Sequence, residues 1–214
     1  MKQITIDVFS DIVCPWCFIA AKRLEIALAT LSEPVEVTSR YHPFLLDPTT
    51  PEEGANLAER LQRKYGVDPK QMFAAVESAA RESGLPLDFT KVPNSYQTLK
   101  GQTLILHAAK KGTQKALTDA LFKAYFLEGR NINSVTELAA IATQHGFSAR
   151  EVKNLLRDEK ELELTRAQAQ RASEMGISGV PFYVFDGKFA ISGGQQPAVF
   201  QMALKKALEA QTAG

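Results

Sequence analysis

The chain has 214 residues with 25 basic and 24 acidic side chains, so its formal net charge is only +1. Hydrophobic residues make up 45% and charged residues 23% of the chain, which is typical of a globular protein with a full core. Since like charges form no block, we expect no binding to nucleic acid. No apolar run approaches transmembrane length, so no membrane partner is expected.

The N-terminus does not have the pattern of a signal peptide. Lys2 is followed by an apolar stretch, but Asp7, Ser10 and Asp11 interrupt it. A strand is predicted over residues 4–9, so cleavage here would destroy the fold. We therefore expect a cytoplasmic protein, in which a reactive cysteine pair is usually catalytic or redox-sensing.

The first part of the chain is predicted to form a strand, a helix and a second strand. The helix includes Ala20–Leu28, and the second strand is the alternating stretch Pro34–Tyr41. Such a unit forms a parallel strand pair through a right-handed crossover. A proline-rich loop follows over residues 43–51.

The middle of the chain is predicted to be helical, and its apolar stripes are typical of core packing. Capping boxes are predicted at Ser134–Glu137 and Ser148–Glu151. Helices are predicted over residues 57–65, 69–83, 96–112, 114–129 and 159–176, with a loop over residues 85–93.

The C-terminal part returns to strand patterns. Val180–Phe185 is a predicted strand, Asp186-Gly187 a two-residue hairpin turn, and Lys188–Ile191 the partner strand. A terminal helix is predicted to begin at Pro197. The element order is therefore β-α-β, a long helical insert, and β-β-α.

Both cysteines lie in one motif, Cys14-Pro15-Trp16-Cys17, between the first strand and the first helix. Two thiols at this spacing on a helix start lie within one turn and can form a disulfide reversibly. The first thiol faces the unpaired N–H groups and positive dipole end of the helix, which favour its thiolate form. A thiolate beside its own resolving partner is suited to thiol–disulfide exchange.

Other interpretations of the cysteine pair explain less. A structural disulfide closing so short a loop would remove little unfolded-state entropy. Zinc needs further ligands, yet His42, His107 and His145 are widely spaced, so no metal site is predicted. A buried, inert pair leaves the strand–motif–helix arrangement unexplained. The motif therefore indicates a redox-active dithiol.

Pro181 lies at the start of a predicted strand, and a residue that cannot donate to the ladder belongs there or at a sheet edge. An ordinary strand start with a trans bond and a cis-proline loop facing the dithiol are both consistent with the sequence. In the second arrangement, the backbone of Val180 would be unpaired and could bind an extended client segment as an added strand.

This order of elements, with Cys-Pro-Trp-Cys at a helix start and a later Gly-Val-Pro-Phe, resembles the DsbA family of thioredoxin-fold oxidoreductases. The resemblance implies that Cys14 is the attacking thiol, Cys17 the resolving thiol and Pro181 a cis-proline. Several segments are similar to the FrnE-type branch of that family: Asp11–Cys17, Pro43–Pro48, Ala124–Phe126, Gly176–Phe182 and Ile191–Gln195.

The resemblance implies an α/β thioredoxin-like fold with a large all-helical insertion between the β-α-β and β-β-α halves. We expect residues 1–50 and 177–214 to form the thioredoxin-like domain and residues 51–176 the inserted helical domain. Two places depart from the family pattern. His42 stands where a basic residue is common, and Thr98-Leu99-Lys100 stands where an Ala-His-Arg pattern is common.

Four residues are predicted to bind the substrate, and others could support the site. The predicted binding residues are Pro15, Trp16, Val180 and Pro181; Trp16 could touch clients or simply cover the helix start.

Asp7 and Asp11 could accept the proton of Cys17 or support the loop, although Asp11 is more typical of a turn or cap. His42 ends a strand on the expected side of the site, where a hydrogen-bonded structural role is favoured over a catalytic one.

These observations predict a protein-disulfide oxidoreductase that exchanges disulfides with protein or small-molecule thiol clients, as a monomer or a homodimer. No cofactor is expected, and glutathione could serve as a redox partner. The reduction potential of the pair decides between oxidase and reductase action.

Two alternatives stay open. The first is a glutathione-dependent enzyme like the 2-hydroxychromene-2-carboxylate isomerases and kappa-class transferases, which are similar in layout. Those enzymes generally have serine where Cys14 stands, and a Ser-Asp pair where this chain has Ser192-Gly193-Gly194. The second is a redox sensor or holdase, which would not turn over.

Overall fold

The structure, a computed structural model, describes residues 2–31 and 35–212. The predicted start of the second strand at Pro34 lies outside these residues. The strands are β1 (Lys2–Ser10), β2 (Val35–Pro43), β3 (Ala55–Asn56), β4 (Asn94–Ser95), β5 (Phe182–Phe185) and β6 (Phe189–Ser192).

The central sheet has four strands in the order β2-β1-β5-β6. β1 and β2 are parallel, with Phe9 opposite His42, as the predicted strand–helix–strand unit requires. On its other side β1 is antiparallel to β5, with Phe9 opposite Phe182. β5 and β6 form the predicted hairpin, and both turn residues, Asp186 and Gly187, have positive φ.

The helices pack against this sheet and against one another. They are α1 (Pro15–Ala29), α2 (Leu57–Tyr65), α3 (Pro69–Glu82), α4 (Leu99–Ala108), α5 (Gln114–Phe126), α6 (Val135–Ala142), α7 (Ala149–Leu155), α8 (Glu159–Glu174) and α9 (Pro197–Thr212).

Some helix boundaries differ from the prediction for identifiable reasons. α4 begins at Leu99 rather than Tyr96, because β4 pairs with β3 and holds the chain extended just before it. Ser148 and Glu151 form the predicted capping box. The box predicted at Ser134 is only half formed: Ser134 accepts the Glu137 N–H, but the Glu137 carboxylate binds Arg130.

The loop predicted over residues 85–93 contains a short 3-10 turn, Phe89–Lys91. Strand β5 begins at Phe182 rather than Val180, because the peptide bond between Val180 and Pro181 is cis and these residues stay outside the ladder.

Helices α2 to α8 lie between β2 and β5 in the chain, where the helical insertion is predicted. Apolar side chains of α2 to α7 join those of the sheet and of α1 in one hydrophobic cluster, and Ala172 of α8 belongs to a smaller cluster with Phe9. Phe18 of α1, for example, stacks on Phe122 and Phe126 of α5 at ring-centroid distances of 5.5 and 5.6 Å. The division into two domains stays a prediction. Among the helices of the described residues, none is long and apolar enough to cross a membrane.

Candidate active site

The dithiol motif forms the start of α1, as the sequence predicts. Cys14 is the N-cap residue, and its carbonyl accepts the backbone N–H of Cys17 at 3.0 Å and of Phe18 at 3.4 Å. Its own N–H donates to the Asp11 carbonyl at 3.0 Å. Pro15 follows at the first helical position, where its fixed φ and missing N–H suit a helix start. Both thiols are free.

The cis-proline loop lies directly beside Cys14. The bond between Val180 and Pro181 is cis, as the family resemblance implies. The Cys14 thiol donates to the Val180 carbonyl at 3.6 Å. The expectation of an unpaired Val180 backbone is therefore wrong for its carbonyl, which a client strand would have to take over from the thiol.

The two cysteines are both buried, with exposed fractions of 4% for Cys14 and 2% for Cys17. Burial raises the pKa of the Cys17 thiol well above its usual range, and the neighbouring Cys14 sulfur adds to the effect. Hydrogen bonds from the Ser10 hydroxyl and the Asp11 backbone act in the opposite direction without cancelling it. Cys17 is therefore a neutral thiol near pH 7, as suits a group that reacts second.

Trp16 is the exposed member of the motif, with 37% of its surface accessible. One side of its ring lies against Gly194, where an added Cβ would be only 2.7 Å from the ring. Trp16 is therefore packed against this turn and partly exposed, and its role in binding clients stays a prediction.

A turn after β6 lies against the motif; it contains the Ser192-Gly193-Gly194 stretch, where the related isomerases have a Ser-Asp pair, and no role in the dithiol site was predicted for it. Gly193 donates its N–H to the carbonyl of Pro181 at 2.8 Å. The carbonyl of Gly194 accepts Nη1 of Arg23 at 2.7 Å. A signal for Arg23 was present: it lies four residues from both Ile19 and Ala27, which are buried, so a charged side chain occupies a buried helix face.

Asp11 is buried beneath the motif rather than at the protein surface. Its Oδ2 accepts the backbone N–H of Leu46 at 2.8 Å, which ties the loop before α1 to the loop after β2. Burial raises the pKa of Asp11 to about 6, although this backbone hydrogen bond and the side chains of Thr98 and Gln102 oppose the shift.

His42 belongs to a neighbouring polar and aromatic cluster. Its Nε2 lies 2.7 Å from Oδ1 of Asp7, and its ring stacks on Phe9 at 4.7 Å. These residues line an open groove of about 550 Å³ together with Met175 and Phe182. The contacts are those of a hydrogen-bonded structural histidine, and they also engage Asp7.

A family model described as a DSBA-like thioredoxin domain matches residues 5–205. The chain belongs to this family. The predicted α/β thioredoxin-like fold and the resemblance to the DsbA family are thereby confirmed. The assignment to the FrnE-type branch stays a prediction.

Three solved structures illustrate the range of this family fold. A Streptomyces coelicolor protein described as a probable DsbA oxidoreductase is 31% identical, with a TM-score of 0.84, 95% of this chain covered and 89% of the other. A 2-hydroxychromene-2-carboxylate isomerase is 18% identical, with a TM-score of 0.73 and 98% of both chains covered. The cytosolic disulfide reductase DsbM from Pseudomonas aeruginosa, solved with GSH, is 19% identical, with a TM-score of 0.67, 96% of this chain covered and 99% of the other. The last two show a shared fold.

Proposed function

We propose that the protein is a thiol–disulfide oxidoreductase that uses Cys14 and Cys17 to exchange disulfides with client thiols. The observation that carries this proposal is the position of the Cys14 sulfur, 3.6 Å from the carbonyl of Val180 in the cis-proline loop. A client segment that pairs with Val180 would place its own sulfur beside Cys14.

In the oxidising direction, a client thiolate attacks the Cys14 sulfur of the Cys14–Cys17 disulfide. The bond between the two protein sulfurs breaks, Cys17 leaves and takes up a proton, and a mixed disulfide joins Cys14 to the client. A second client thiolate then attacks the client sulfur of the mixed disulfide. Cys14 leaves as a thiolate, and the client carries the new disulfide.

In the reducing direction, the Cys14 thiolate attacks a client disulfide and releases one client sulfur as a thiolate. Cys17 must then lose its proton before it can attack Cys14 and release the second client sulfur. Because the pKa of Cys17 is raised, this second step is the slower one to begin at neutral pH. The raised pKa therefore keeps Cys17 from competing with Cys14 for the incoming client.

The proposed clients are proteins or small thiols, with glutathione as a redox partner, and the proposed location is the cytoplasm. DsbM, which shares the fold, is described as a cytosolic disulfide reductase and was solved with GSH. We propose a monomer or a homodimer as the working form.

Matched serine variants test the proposal. Cys14→Ser should reduce insulin reduction and the refolding of a scrambled disulfide protein to the uncatalysed rate, since no sulfur remains to form the mixed disulfide. Cys17→Ser should still attack and should accumulate a mixed disulfide with the client, which mass spectrometry detects.

Three results would contradict the proposal. Full exchange activity of Cys14→Ser would show that this sulfur is not the nucleophile. Glutathione-dependent isomerase activity that survives in Cys14→Ser would favour the isomerase alternative. Wild-type activity limited to one equivalent of client would favour a redox sensor.

A further inference from the structure

We propose that Arg23 is a positioning residue of the redox site, acting through the Gly193–Gly194 turn on Trp16 and Pro181. For its effect on clients, this inference rests on the proposed disulfide exchange. The geometry itself can be tested without any client.

Arg23 of α1 contacts α3 and the Gly193–Gly194 turn, and its exposed fraction is only 2%. From α1, its Nε donates to Ser83 Oγ at 2.8 Å, and its Nη1 donates to the Gly194 carbonyl at 2.7 Å. Its Nη2 lies 3.5 Å from the carbonyl of Ala79 in α3. Because the guanidinium is a planar fork, these contacts together fix its orientation.

The turn that Arg23 holds contacts the cis-proline loop. Gly193 has a φ of +83°, a left-handed conformation that favours glycine. In this conformation its N–H donates to the Pro181 carbonyl at 2.8 Å. The position of Pro181 relative to α1 is therefore set through the same turn.

The next residue of the turn contacts the dithiol motif. The ring of Trp16 lies so close to Gly194 that a Cβ there would be 2.7 Å from Cε3 of the ring. Any side chain at position 194 would push the indole away. Only glycine at this position allows the observed packing of Trp16.

The Gly193–Gly194 turn thus contacts both Trp16 of the dithiol motif and Pro181 of the cis-proline loop, the two segments next to Cys14. Arg23 does not touch the sulfur, so its loss should alter client binding more than the chemical step. We therefore expect a higher client KM with a smaller change in kcat.

The first experiment uses Trp16 as its own reporter, since it is the only tryptophan of the chain. In reduced Gly194→Ala, we expect emission shifted to longer wavelength and stronger quenching by acrylamide. Client KM should rise about two- to tenfold, the range that loss of one aromatic packing contact spans. Gly179→Ala is the spectroscopic control, because an added Cβ there meets nothing within 4 Å and its emission should match the wild type.

The second experiment tests the link from Arg23 to the turn. Arg23→Lys keeps the charge but cannot reproduce the fork, so it should shift Trp16 emission in the same direction as Gly194→Ala. It should also change the rate at which iodoacetamide alkylates Cys14 in Cys17→Ser protein, because Val180 and Pro181 would move relative to that sulfur. Neither readout requires a client.

These outcomes separate the two proposals. If the wild type catalyses no exchange but both variants shift Trp16 emission, the proposed function fails and the positioning role stands. Wild-type emission in folded Gly194→Ala, or wild-type emission and alkylation rate in folded Arg23→Lys, would overturn the positioning role. Unchanged client KM in variants with shifted emission would overturn its effect on clients.

Discussion

Two buried charged side chains lie close to the start of α1, and their surroundings are opposite. The guanidinium of Arg23 contacts an acceptor through each of its three nitrogens. The carboxylate of Asp11 accepts the Leu46 N–H through Oδ2, while Oδ1 has no hydrogen-bond partner in the part of the chain that the structure describes.

Because of this difference, Arg23 makes contacts that do not depend on pH, whereas Asp11 titrates. Arg23 keeps its charge at all ordinary pH values, and its partners are two carbonyl oxygens, the Ser83 hydroxyl and, at 3.9 Å, the carboxylate of Glu82. For Asp11, burial makes the ionised form costly, and this raises its pKa to about 6. Arg23 and Asp11 are buried to the same extent, yet Arg23 stays charged and holds its contacts at every pH, whereas Asp11 changes its charge near neutrality.

The largest effect is expected for Arg23→Ala. Since its two short hydrogen bonds, to Ser83 and Gly194, are lost, and each is worth about 1.5–3 kcal/mol, we expect the free energy of unfolding to fall by about 3–6 kcal/mol. Urea denaturation followed by circular dichroism measures this change. Lys22→Ala is the control: its exposed ion pair with Glu25 should be worth less than about 1 kcal/mol. An equal loss of unfolding free energy in the two variants would show that the contacts of Arg23 contribute no more to stability than an exposed ion pair.

Asp11→Asn should change the pH dependence of stability. The pKa of Asp11 is about 6 in the folded state and 3.8 for an ordinary carboxyl, so between these values the folded state retains a proton that the unfolded state releases. Stability contributed by this group is therefore present below about pH 4 and falls as the pH rises to about 6. At about 1.36 kcal/mol per pKa unit, the fall is about 3 kcal/mol.

The measurement is the difference in the free energy of unfolding between wild type and Asp11→Asn from pH 4 to pH 7.5. The wild type should lose stability relative to the variant over this range. Asp88→Asn is a flat control, because hydrogen bonds from Thr90 lower the pKa of Asp88 below its ordinary value of 3.8, so its pH dependence lies mostly below this range. A pH-independent difference for Asp11→Asn would show that this carboxyl is ionised throughout.

The sequence was sufficient for features set by local chemistry. The alternation in β1 and β2, the Asp186-Gly187 turn and the cap at Ser148 depend on neighbours in the chain, and each formed as predicted. The start of α4 was wrong because it depends on the pairing of β3 with β4, whose two-residue strands carry no periodic signal.

The site divides in the same way. Cys14 and Cys17 were recognisable because their spacing and their position at a helix start are local features. Arg23 and Gly194 are 171 residues apart, so their hydrogen bond follows from the packing of the terminal hairpin beside α1 and has no local pattern. The pKa of Asp11 likewise depends on burial and on side chains distant in the chain, namely Thr98 and Gln102.

The smallest effect is expected for Ser83→Ala, which removes one partner of Arg23 without touching the turn. The variant leaves the Nε–H without its acceptor, while Nη1 still donates to Gly194, so we expect a loss of about 1.5–3 kcal/mol in the free energy of unfolding. Ser78→Ala, at an exposed position of the same helix, should change stability by less than about 0.5 kcal/mol. If Ser83→Ala destabilised as strongly as Arg23→Ala, the contact of Arg23 with Ser83, and not its bond to Gly194, would account for the stability that Arg23 contributes. A loss of about 1.5–3 kcal/mol with unshifted Trp16 emission would instead show that the bond between Arg23 and Gly194 positions the indole.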